Sequence, residues 1–232
     1  YGIKTRRIEL WEIHGKVRDR NWIREYQDII VETASMPLDD WRRMTVFSVM
    51  TMLMHSMKLG FFVMAYLADR YGTQQVDFIE HLLNVAGEIY GGSVLSQEVR
   101  TAYANVDGIL AGQGRGIHLP DYEDIYWDAE EASFLRISER LDDFYKELHE
   151  AALSFLIDQG FDPDLDELAE TIQYQRMRIP ERTVPAVTQF TFARNVPAYF
   201  DRLLGTRPVP LELGAQDLIC QPVDFSGDKS RF

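Results

Sequence analysis

The sequence predicts a mainly α-helical protein: a multi-helix domain with a few short β-strands at the N- and C-terminal ends. Three observations predict it. Residues 45–67 form an apolar stretch rich in Met and Phe whose only readily charged side chains are His55 and Lys58. Apolar residues then recur at helical spacing in three further stretches, near 74–90, 129–159 and 165–177. Short β-branched runs fall mainly at the two ends, in residues 8–13, 28–33 and 187–192.

Taken in order, the first two runs read as strands that leave an N-terminal edge in need of a partner. Met36-Pro-Leu-Asp-Asp-Trp41 reads as a helix start, with Ser35 as a cap, Pro37 at a tolerated position and Asp39 and Asp40 complementing the dipole. The apolar stretch follows directly. Its length suits a membrane span, but Lys58 falls near its middle, where a bilayer penalises charge by roughly 2.5–3.5 kcal/mol. It therefore reads as a core helix or a bent pair, with Gly60 at the bend and Arg70-Tyr-Gly72 as the stop. Val76, Ile79, Leu82, Leu83 and Ala86 mark the buried side of the next helix, and a weaker helical pattern covers 96–110. Gly108, Gly112, Gly114 and Gly116 open a segment expected to be a mobile surface loop ending at Pro120. One long amphipathic helix is expected over 129–159 and another over 165–177. A strand near 187–192, a short helix near 197–204 and runs at 209–213 and 218–221 complete the chain, Pro210 and Pro222 limiting the last two to edge positions.

With 232 residues, 46% of them hydrophobic, the chain can bury a substantial core. A formal net charge of −13 repels phosphate backbones and anionic lipid, so neither nucleic acid nor membrane is an expected partner. The single cysteine, Cys220, rules out an internal disulfide framework or a multi-cysteine metal site within these residues, which fits a reducing, cytoplasmic setting.

Several separate blocks carry a likeness to a known family. They are Ile8-Glu-Leu-Trp-Glu-Ile13, Ile29-Ile-Val-Glu-Thr-Ala-Ser-Met36 with Asp40-Trp41, and His55-Ser-Met-Lys-Leu-Gly60 with Tyr66-Leu67 and Asp77-Phe78. Trp127-Asp-Ala-Glu-Glu131, Phe144-Tyr145, Glu147-Leu148, Glu167-Leu168, Tyr174-Gln175, Ile179-Pro180 and the block from Phe190 to Phe200 continue it. Together they resemble the C-terminal helical region of cobalamin (B12)-binding radical SAM proteins, in which a B12 domain and a radical SAM barrel precede a helical extension. The CxxxCxxC cluster motif and any recognisable B12-binding motif are absent from this sequence.

The resemblance implies a domain that caps the barrel and helps to bind a small-molecule substrate, inactive by itself, in a parent enzyme such as a methyltransferase. It implies residues 1–36 as a strand-containing junction to an N-terminal catalytic portion, 37–182 as the helical domain and 183–232 as a small α/β appendage. No cofactor is expected on this chain; the parent would use a 4Fe-4S cluster, S-adenosyl-L-methionine and cobalamin, and its B12 and radical SAM domains would be the partners. The alternative is a stand-alone acidic helical binding or chaperone-like module. An enzyme domain should expose apolar surface near residues 8–31 and self-associate through it; a module should bury its strands.

His55 and Lys58, three apart, are expected to share a helix face and are the candidate substrate-facing residues. A satisfied core histidine and a snorkelling lysine are the other account of the pair. No catalytic residue is assigned and no metal site is expected: His81 with Glu80, and His149 with Glu147 and Glu150, lack a spacing that puts two histidines on one face.

Overall fold

The computed structural model of the chain describes residues 1–19, 21–88, 92–179, 187–202 and 209–221. Over these residues the protein is mainly α-helical, with three two-stranded antiparallel ribbons. The first ribbon pairs β1 (Lys4–Glu9) with β2 (Tyr26–Glu32), so the two N-terminal strands satisfy one another. Alternation along the strands turns Ile8, Ile29 and Val31 into the core and leaves Ile30 half exposed on the outer face. A lone ribbon is marginal in water; this one rests on α1 (Leu38–Thr51) and α4 (Val94–Leu110).

α1 starts behind Pro37 with no side-chain cap, and Ser35 contacts the Thr33 hydroxyl instead. It runs into a π-helical turn (Met52–Ser56) and, after four non-helical residues, into α2 (Phe61–Tyr71), which leaves at 89°. Among the described residues no single helix is long and apolar enough to cross a membrane. The bent pair is the centre of the molecule: Leu53, Met54, Leu59, Val63 and Tyr66 are fully buried. Gly72, with φ +69°, ends α2 as a left-handed cap.

α3 (Gln75–Glu88), α4, α6 (Leu141–Asp158) and α7 (Leu165–Met177) close around that centre. Phe78, Ile79, Leu82, Leu83 and Ala86 bury the expected stripe of α3, but Val76, in its first turn, is exposed. α4 is capped twice. Ser93 Oγ accepts from the Ser96 amide, and the Glu147 carboxylate on α6 accepts from the Val94 and Leu95 amides, both at 2.8 Å.

Two expectations are corrected. The glycine segment is no mobile surface loop: it leads into a hairpin, β3 (Ile117–Leu119) and β4 (Ile125–Trp127), so strands are not confined to the ends. Gly114 and Gly116 are buried. Residues 13–16 add to the free edge of β4 through His14 N–H to the Tyr126 carbonyl and Tyr126 N–H to the Gly15 carbonyl. A Cβ on Gly114 would lie 2.3 Å from the Trp11 ring, so only glycine lets the loop pass beneath it. The long helix over 129–159 is also two, α5 (Ala129–Ile137) and α6. Between them the chain tightens, Arg140 N–H reaching the Ile137 carbonyl, and buried Ser138 donates to the Leu135 carbonyl. The break lets α5 lie against the π-helical turn.

At the C-terminal end β5 (Thr188–Arg194) pairs with β6 (Leu213–Cys220), with α8 (Val196–Asp201) between them in sequence. Of the two runs expected here, 218–221 closes β6, while 209–213 only leads into it at Leu213. Leu204, Pro222 and residues 180–186 lie outside the described residues. Phe192, Tyr199 and Phe200 join the main core, and Glu170 on α7 accepts from the Ala193 and Arg194 amides.

Candidate functional site: the helix break at His55 and Lys58

A break between two core helices leaves amides and carbonyls without helical partners, and buried ones are costly unless bonded. Here two buried side chains from neighbouring helices supply the bonds. Gln175 on α7 accepts from the Phe62 amide at 2.8 Å and donates to the Lys58 carbonyl at 2.6 Å. Tyr145 on α6 donates to the Leu59 carbonyl at 3.0 Å. Burial pushes the Tyr145 phenol well up, with Gln175 opposing, so it remains protonated. Within the break, Met57 N–H bonds the Met52 carbonyl and Gly60 N–H the Met54 carbonyl. Gly60 has a negative φ, and a Cβ there would lie 2.1 Å from Met54 Cε, so the tip of the methionine would have to move aside.

The left-handed residue of the break is Lys58, at φ +68°. Non-glycine residues adopt this region at a cost, and Lys58 is exposed. His55 stands in the last turn of the π-helix, half buried. The two do not share a helix face, because Lys58 lies beyond the helical end; they converge on one ring instead. The Lys58 ammonium sits 3.7 Å from the centroid of Phe61, and the His55 imidazole meets the same ring edge-on at 5.3 Å. Gln175, Tyr145 and Phe61 went unassigned in the sequence. For Gln175 a signal exists: a polar residue in register with the buried stripe of Leu168 and Ile172.

A concavity of about 130 Å³ lies in the N-terminal lobe, walled by Trp11, Trp22, Arg18 and Tyr126. Trp11 stacks on Tyr126 at 4.5 Å and 25°. Two of its arginines are paired: Arg18 lies 3.6 Å from Glu12 and 3.5 Å from Glu25, and Arg24 lies 3.4 Å from Glu9.

His14 pairs with Glu131 and His118 with Asp124, each at 2.7 Å. His81 bonds Ser154 Oγ at 2.9 Å, with Asp158 3.9 Å beyond, but the Ser154 hydroxyl donates to the Ala151 carbonyl and sits mid-helix, where no free amide could hold an oxyanion. Glu80 pairs with Arg43, and Glu147 is the α4 cap. Among the described residues no three His, Cys, Asp or Glu side chains gather as a metal would require.

The fold and the break define a mainly α-helical protein whose bent core helix presents a cation and an imidazole on one aromatic ring. No protein-family model matches the sequence, and no curated protein matches it.

Proposed function

We propose that this chain is the helical C-terminal portion of a cobalamin-dependent radical SAM enzyme, seated on the barrel through its N-terminal lobe and facing substrate with His55 and Lys58. The resemblance supplies the reaction class; the observation that supports the seating is where apolar surface is left uncovered. Of 17 large hydrophobic side chains exposed among the described residues, eight lie in the first 30, including Ile23, Trp22, Ile3 and Tyr26. Clustered exposed apolar surface marks an interaction site, and Ile8, Ile29 and Val31 beneath it anchor the lobe to the helical core. Methyl transfer to an unactivated carbon is the proposed chemistry, carried by a cluster, S-adenosyl-L-methionine and cobalamin on the barrel side.

The test is the reading frame upstream of Tyr1 in the encoding DNA. A continuous frame carrying CxxxCxxC is the expected result. A start codon directly before Tyr1 overturns the reading and leaves a stand-alone helical binding module.

A further inference from the structure

We infer that the helix break is an oxyanion-binding site, so that the substrate carries a carboxylate or a phosphate; this rests on reading His55 and Lys58 as substrate-facing. Four observations converge. Lys58 occupies a left-handed position that glycine adopts without strain, yet it carries a long cationic side chain. In a chain with 37 acidic residues, no carboxylate among the described residues lies within ion-pair distance of Lys58. Its ammonium is held over the Phe61 face, and none of its N–H donors has a protein acceptor among the described residues. The His55 ring packs against the same Phe61 at 5.3 Å, so the imidazole and the ammonium share one aromatic neighbour.

The backbone under this pair is fixed in advance. The Lys58 and Leu59 carbonyls and the Phe62 amide are tied to Gln175 and Tyr145 on two other helices, so ordering the break costs a ligand little. A π-helical turn is itself a feature often found at functional sites, and this one ends at His55-Ser56. An ammonium over an apolar floor, with an imidazole packed on the same ring, suits an anionic oxygen cluster, which forms stronger, charge-assisted hydrogen bonds than a neutral group.

The experiment is a titration of the full chain, followed by amide NMR shifts, with inorganic phosphate in one arm and acetate in the other. Shifts should saturate and centre on residues 55–61. The arm with the tighter response names the anion, phosphate or carboxylate. Lys58→Gly keeps the left-handed backbone and should weaken that response at least about tenfold, as expected for loss of one charge-assisted bond. If Lys58→Gly titrates like the wild type, or if shifts appear only elsewhere, the proposal is overturned. The titration needs no cluster, S-adenosyl-L-methionine or cobalamin, so its failure leaves the radical SAM reading standing, and failure of the reading frame test leaves the anion site standing.

Discussion

At the scale of single residues, Gln175 ties the two sides of the helix break to α7. Its amide bonds two part-buried backbone groups, so Gln175→Leu removes both bonds while filling similar volume. A buried group left unsatisfied costs about 1–3 kcal/mol. With two groups affected the expected loss is about 2–6 kcal/mol, read as a lowered urea midpoint with an unchanged slope. Gly60 and Lys58 show how the residue types of this bend divide the labour. Glycine was legible in the sequence as the bend residue, and the bend is there. Its reason was not legible, because the obstacle is Met54 Cε, an atom six residues away that only the folded turn brings near. The left-handed φ fell to Lys58, a residue with no propensity for it.

At the scale of elements, one ionic cluster fastens the C-terminal strands to the helices. Arg194 on β5 faces Asp164, Glu167 and Glu170 of the α7 region, and Arg70 on α2 makes two bonds to Glu167, which is almost fully buried. The load-carrying contact between β5 and α7 is Glu170, one oxygen on each of two amides. Glu170→Ala should leave the helices folded and speed hydrogen exchange at the Ala193 and Arg194 amides; unchanged exchange there would show that the strand is held by its apolar residues alone. Helices with complete periodic stripes, such as α3 and α7, were legible from spacing. The α5–α6 break was not, since no glycine or proline marks it and the apolar period passes through Ser138 with only a small phase error. β3 and β4 were missed because three-residue strands give no alternation to count, and their pairing edge is supplied by residues 13–16.

At the scale of the whole molecule, two partly buried imidazoles set one limit on stability. Burial pushes His81 below the usual histidine value, with Asp158 opposing, and does the same to His149, with Glu150 opposing. His149 Nε2 is buried without a hydrogen-bond partner among the described residues. The unfolded chain therefore takes up protons at these sites first as pH falls. Their neutral forms cost nothing above about pH 6.5, and stability is lost as pH drops through the lower folded-state values. His149→Leu should make the fall in urea midpoint between pH 7.5 and 5.5 smaller than in the wild type; an equal fall in both would assign the acid sensitivity to other groups. The mainly helical class was readable from composition and period alone. The N-terminal lobe was not, because it is assembled from residues 9–16 and 112–127, and no local pattern reports a contact across that interval.

That interval has a consequence during synthesis. The Trp11 ring lies over Gly114, 103 residues later in the chain. On a ribosome adding about 5–20 residues per second, Trp11 is made roughly 5–20 s before the glycine that will lie beneath it. For that time the lobe's aromatic and aliphatic residues stand uncovered on the nascent chain, while the first ribbon already has both its strands. The glycine loop thus acts as a late-arriving keystone, and its emergence sets the earliest moment at which the front of this protein can close.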